Sequence, residues 1–207
     1  SSFRFAALTS RLGVDVKGYE FGGWNMGAKI ETDFYAGVSG VTGTAQLRLR
    51  QAYVTFAYDE LSFKVGQAWH PMASDQPDVL SLNAGAPFNP FSRTPMFLAN
   101  YGFGDFSVDL AALWQMQYTS AGPDGAKADY IKYGKTPEMY LGLNYSNDGF
   151  LVRVGVDMLS IKPRHINDAG EKLSDRITTF SPFLYLQYAE GDFSVKAKTI
   201  YAQAGEH

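Results

Sequence analysis

Apolar and polar residues alternate with a period of two over long stretches of this chain. Trp24, Met26, Ala28, Ile30, Phe34 and Ala36 fall in one phase, and Asn25, Lys29, Glu31, Asp33 and Tyr35 fall in the other. A helix would mix these sets, so the segment reads as a strand with two unlike faces. The alternation returns over 106–118, where Phe106, Val108, Leu110, Ala112, Trp114, Met116 and Tyr118 oppose Ser107, Asp109, Gln115 and Gln117. It returns again where Phe150, Val152, Val154, Val156 and Met158 oppose Arg153 and Asp157. The pattern predicts ten strands, at about 6–17, 24–36, 44–58, 61–70, 95–103, 106–118, 138–146, 149–160, 177–189 and 192–203. Within the third, Leu47 and Leu49 share one face while Ala52, Val54, Phe56 and Tyr58 are in the opposite phase. One extra residue near Gln51 restores alignment, which predicts a β-bulge there.

The connections alternate in length. Short ones lie at Gly18–Gly23, Asp59-Glu60, Gly104-Asp105, Asn147-Asp148 and Glu190–Asp192, and mostly long ones at 37–43, 71–94, 119–137 and 161–176. Tight turns at one end and loops at the other are the layout of an outer-membrane barrel. A soluble sandwich also separates its faces, but its strands usually run about 5–6 residues, and most of these are about twice that. Aromatic residues flank every short turn: Tyr19, Phe21 and Trp24, then Phe56, Tyr58 and Phe63, then Tyr101, Phe103 and Phe106, then Tyr145 and Phe150, then Tyr188 and Phe193. Amphipathic rings favour the lipid–water boundary, so this row predicts one aromatic girdle.

Composition narrows the setting. Charged residues are 19% and aromatics 15%, with a net charge of -3. The absence of cysteine excludes a disulfide framework, a thiolate metal site and a cysteine nucleophile. The acidic balance and the lack of a basic run speak against nucleic acid as a partner. No apolar run is long enough for a membrane-crossing helix, but a spanning strand needs only about 9–11 residues, every second one apolar. The polar phase carries Arg11, Lys17, Lys29, Arg48, Arg50, Lys64, Arg153, Lys196 and Lys198, together with Asp15, Glu31, Asp33, Asp109, Glu138 and Asp157. An Arg or Lys facing lipid at midplane costs about 2–4 kcal/mol. This face is therefore expected to line a water-filled lumen, with outer-membrane lipid against the other. The expected fold is all-β, a transmembrane antiparallel up-and-down β-barrel forming a single domain over 1–207.

Several stretches then acquire a resemblance. Ser10-Arg11-Leu12-Gly13-Val14-Asp15-Val16-Lys17-Gly18 and Gly27-Ala28-Lys29-Ile30-Glu31 resemble the second and third strands of bacterial general porins. Arg50-Gln51-Ala52-Tyr53-Val54 and Phe63-Lys64-Val65-Gly66-Gln67 look like the next hairpin. Gly66-Gln67-Ala68-Trp69-His70-Pro71 and the run from Asn83 to Arg93 are similar to porin-like outer-membrane proteins of the Bacteroidetes type. The resemblance covers about residues 10–100. It implies a homotrimeric barrel of about 16 strands in the outer membrane of a Gram-negative bacterium, passing ions and small hydrophilic solutes by passive diffusion. It also implies that the loop at 71–94 folds inward and narrows the pore. The family's first strand would precede Ser1 and several more would follow His207, so the chain is expected to be a piece of a longer protein.

Candidate pore-lining residues are Arg11, Lys29, Glu31, Asp33, Arg48, Arg50, Lys64, Arg153 and Asp157, and candidate constriction-loop residues are Asp75, Asp78, Asn83, Phe88 and Arg93. Arg48 and Arg50 point the same way, and facing Asp75 and Asp78 they would set a transverse field across the aperture. Inner-face cations outnumber inner-face carboxylates, which predicts a weak anion preference. Phe88 and Phe91 beside Asn83 and Asn89 fit either sugar contact or anchoring of the loop to the wall. The loop 119–137 reads as solvent-facing and mobile. His70, His165 and His207 are dispersed, with no ligand spacing, so no metal or other cofactor is expected and His70 reads as a rim residue. Ser62 and His70 are too far apart along one strand to form a nucleophile–base pair, so no catalysis is expected. The alternatives to a diffusion channel are a saccharide-specific channel and a non-conducting structural or adhesion barrel.

Overall fold

Ten long strands and one short hairpin follow the chain in the computed structural model, which describes residues 10–37, 44–73, 75–77, 92–116, 119–167 and 169–203. They are β1 (Arg11–Phe21), β2 (Trp24–Gly37), β3 (Ala45–Tyr58), β4 (Leu61–Trp69), β5 (Arg93–Phe103), β6 (Phe106–Leu113), the hairpin β7 (Ala121–Gly122) and β8 (Gly125–Ala126), β9 (Glu138–Asn147), β10 (Phe150–Ile161), β11 (Ile177–Glu190) and β12 (Phe193–Ile200). A short helix, α1 (Asp129–Gly134), precedes β9. The ten long strands form one sheet in the order β1-β2-β3-β4-β5-β6-β9-β10-β11-β12. Every neighbouring pair is antiparallel, with β1 and β12 at the two edges.

The period-two segments are these strands, with two local differences. β1 runs on to Phe21 rather than ending at Lys17, because a register shift between Val16 and Tyr19 carries its ladder to the Gly22-Gly23 turn. The expected start of this strand at 6–9 lies outside the described residues. β6 stops at Leu113 instead of continuing to 118. The bulge in β3 is present: Glu31 pairs with Gln51 and Thr32 with Leu49, so Arg50 is the extra residue. At the β9–β10 turn both Asp148 (φ 45) and Gly149 (φ 80) are left-handed, the mirror-image turn whose twist suits a hairpin.

Exposure is inverted relative to a water-soluble sheet. Leu12, Val14, Ile30, Leu47, Phe97, Leu110, Leu141, Val154, Leu186 and Val195 are exposed on one face. Asp33, Arg50, Asp109, Glu138 and Asp157 are buried on the other. The aromatic row at the short-turn end is continuous over much of the sheet. Trp24 contacts Tyr58 and Phe63, with centroids 5.4 and 6.2 Å apart, and Phe63 contacts Phe97 at 5.7 Å. Phe103 stacks on Phe106 at 5.9 Å, Phe106 meets Tyr145 at 5.0 Å, and Phe150 meets Tyr188 at 4.5 Å.

The sheet curls around its polar face. In a flat sheet β4 and β10 would lie about 19 Å apart, four spacings of about 4.8 Å. Yet His70, one residue past β4, sits 3.7 Å from Asp157 of β10. The concave face is not wet throughout, contrary to the sequence expectation. Ala68, Met96, Ala111, Leu113, Tyr140, Phe183 and Tyr185 pack there with Met72, which the chain after β4 brings inward. The segment 119–137 is also corrected. It holds β7, β8 and α1, whose Tyr130 and Ile131 are buried against Leu159 and Ile161 of β10. Tyr130 Oη ties it together, accepting from the Asp124 amide at 3.0 Å and donating to the Gly125 carbonyl at 2.9 Å.

Candidate functional site

Two groups of charged side chains line the concave face. The first spans β2 and β3. Alternation in β2 puts Lys29, Glu31 and Asp33 on this face, and the bulge in β3 lets Arg48 and Arg50 both reach them. Arg48 grips Asp33 through two parallel bonds, Nε to Oδ1 at 2.8 Å and a terminal nitrogen to Oδ2 at 2.6 Å. Arg50 bridges both carboxylates, with Nε 2.5 Å from Glu31 Oε1 and Nη1 2.8 Å from Asp33 Oδ2. Lys29 adds a looser pair with Glu31 at 3.9 Å. Bidentate guanidinium–carboxylate pairs are the strong, geometrically fixed kind. Arg48 and Arg50 thus find carboxylate partners beside them in the same wall; of the two loop carboxylates expected to face them, Asp75 lies against Arg153 and Asp78 is outside the described residues. Arg50 also lies 5.8 Å from the Trp69 ring centre.

The second group pins the start of the loop after β4. Pro71–Ala73 makes one 3₁₀ turn, closed by the Ala73 amide on the His70 carbonyl at 2.8 Å. Lys198 of β12 donates to the carbonyls of Met72 and Asp75, the latter at 3.0 Å. Arg153 Nε of β10 lies 2.5 Å from Asp75 Oδ2. Residues 71–73 and 75 thus bring the chain after β4 across the concave face to β10 and β12. Of the other loop candidates, Asp78, Asn83 and Phe88 lie outside the described residues. Arg93 is corrected: it is the first residue of β5, paired with Trp69, buried, and 4.8 Å from that ring.

The remaining candidates lie around these two groups. Arg11 is exposed on β1, opposite Asp33 in register. Lys64 stands 5.2 Å over the Tyr53 ring. Between the groups, Asp109 accepts from Asn100 at 2.7 Å and Asn144 at 2.8 Å, holding β5, β6 and β9 together through one carboxylate.

Asp157 joins an arrangement that sequence spacing did not reveal. His70 Nε2 lies 3.1 Å from Glu138 Oε1 and 3.7 Å from Asp157 Oδ1, and all three side chains are buried. The Met72 amide donates to His70 Nδ1 at 3.2 Å. Burial holds the imidazole towards its neutral form; the negative charge of Asp157 opposes this and Lys198 adds to it. His70 is therefore no rim residue, and three residues of metal-ligating type converge where none were expected to. Phase alone pointed this way, since His70 continues the inward series of Lys64, Gly66 and Ala68, and Glu138 and Asp157 were already on the inner face.

No protein-family profile matches the chain, and no curated protein does. Among solved structures it is similar to the outer membrane channel DcaP of Acinetobacter baumannii, with a TM-score of 0.68 and 22% identity over 90% of this chain and 49% of that one. The chain thus spans about half the length of that channel. A mutant of the Rh. blastica porin aligns at 13% identity and a TM-score of 0.46, over 94% of this chain and 75% of its own. The likeness to DcaP shows a shared fold, and the ten-stranded sheet is a stretch of wall of the outer-membrane barrel type.

Proposed function

We propose that this chain forms part of the wall of a bacterial outer-membrane channel, through which ions and small hydrophilic solutes pass by passive diffusion with no reaction catalysed. One observation carries the reading. The exposed face is apolar along β1 to β12, while carboxylates and guanidiniums are buried on the concave face. Water on the outside would leave this arrangement inside out, whereas acyl chains outside and solvent within suit both faces. The aromatic girdle supports the same placement in the membrane.

The chain at Met72 and Asp75 acts as the narrowing element, held to the far wall by Lys198 and Arg153. The Lys29–Glu31–Asp33–Arg48–Arg50 cluster presents a nearly balanced charge pattern to the solute rather than a bare cationic ladder. The resemblance to general porins supports a homotrimer. The full-length protein, purified in detergent and added to planar bilayers, is expected to give discrete conductance steps. A protein that dissolves without detergent and never produces steps would remove the proposal.

A further inference from the structure

We propose that His70, Glu138 and Asp157 form a binding site for one divalent metal ion of the zinc type, which couples the inward loop to the barrel wall. Three observations lead there. The ligand atoms come from three elements, the end of β4, the first residue of β9 and the middle of β10, yet all lie within 4.8 Å of one another. The side chains of His70 and Glu138 are 1% exposed and that of Asp157 4%, so two carboxylates share a space largely closed to water. The Asp157 carboxyl shares a side-chain hydrogen bond with Glu138, while its buried Oδ1 has no hydrogen-bond partner and lies 3.7 Å from His70 Nε2. That distance is too long for a hydrogen bond.

The spacing around the imidazole suits an ion. Bonds of about 2.0–2.1 Å in a tetrahedron place neighbouring ligand atoms about 3.3 Å apart. The separations of 3.1 and 3.7 Å from His70 Nε2 bracket that value. One imidazole and two carboxylates are too few oxygens for calcium, and the nitrogen disfavours magnesium. A divalent ion would also relieve the repulsion between two carboxylates at close range. Three protein ligands leave a fourth position for water.

Binding acts on the loop. The Met72 amide donates to His70 Nδ1, so Nδ1 carries the lone pair and Nε2 the proton in this arrangement. An ion on Nε2 requires that proton to sit on Nδ1, where it faces the Met72 N–H. The Met72 bond must then open, and the turn at Pro71–Ala73 must shift with it. Occupancy and loop position are thus linked, and opening the Met72 bond is expected to weaken affinity by up to about tenfold.

The test uses the full-length protein, stripped with EDTA. ZnCl₂ is offered both to the folded protein and during refolding, so that burial of the site does not hide it. Bound metal is counted by mass spectrometry and affinity is measured by chelator competition. One ion per chain is expected, with at least a 30-fold loss of affinity in H70Q and in D157N and no change in D175N. Cobalt(II) added to the unmodified protein is expected to give the intense visible absorption of a tetrahedral site, a readout that survives any failure of a variant to fold. No retained ion in either preparation, retention unchanged in both H70Q and D157N, or a weak octahedral cobalt spectrum would each overturn the assignment.

Discussion

Replacing Val154 by arginine tests which face meets lipid. Val154 lies in the middle of β10, between Leu143 of β9 and Leu184 of β11, and is 49% exposed. It stands four residues beyond Phe150, which contacts Tyr188 in the aromatic girdle. At about 3.4 Å per residue and a tilt of about 40°, that places it about 10 Å below the girdle, near the centre of an apolar band about 25 Å tall. An arginine there should cost about 2–4 kcal/mol in a bilayer. At 1.4 kcal/mol per tenfold change, this is a roughly 30- to 700-fold shift in the folding equilibrium. V154A is the reference, because it removes the same apolar contact without adding charge. The assay is reversible denaturant titration of protein folded into lipid vesicles, followed by tryptophan fluorescence. If V154R unfolds within about 0.5 kcal/mol of V154A, as an ordinary surface change would, the exposed apolar face is not in lipid and the channel reading fails with it.

Three further outcomes follow from individual contacts. D33N removes the carboxylate shared by Arg48 and Arg50; it should lower stability by about 3 kcal/mol and move the reversal potential in a salt gradient towards anions, and an unmoved potential would separate this cluster from permeation. D75A should detach the loop from Arg153, costing about 1 kcal/mol and raising single-channel conductance, while the swapped pair D75R/R153D should restore the original conductance. G191A, left-handed but in open space, should cost about 1–2 kcal/mol; G149A, also left-handed at φ 80°, should cost more than G191A because an added Cβ would lie 2.1 Å from the Ala189 carbonyl oxygen, and equal midpoints for the two would refute the steric argument.

The fold was legible because each strand's two faces meet different solvents, and that difference is written at every second residue. Trp24 to Ala36 and Phe150 to Met158 could take no other period. Even the bulge at Arg50 was readable, because a single extra residue inverts the phase of all that follow. The helix α1 was not legible. Its six residues, Asp129 to Gly134, are too few to show a helical period, and only burial of Tyr130 and Ile131 against β10 defines it. The site was legible as a face and illegible as a set of partners. Alternation assigns Arg48, Arg50, Arg153 and Asp157 to the lumen, but it carries no information about which strands the curl brings opposite. Asp75 thus meets Arg153, and His70 meets residues 68 and 87 positions further along the chain.

The same curl explains why the concave face is dry on one side and polar on the other. Met72 needs apolar partners if the loop is to lie inward at all, and Ala111, Leu113, Tyr140, Phe183 and Tyr185 supply them on β6, β9 and β11. Those positions share the inner phase with Asp109, Asp157 and Lys198, so an alternating pattern alone reads them as pore wall. With the loop seated there, Glu138 and Asp157 are nearly closed to solvent, while Lys29 and Arg48 on the opposite flank keep 30% and 29% of their side-chain surface exposed. On the proposed function, solute passes along the β2–β3 flank. Charge changes at Lys29, Asp33 and Arg48 then act on permeation directly, whereas changes at Asp75 and Arg153 act through the position of the loop.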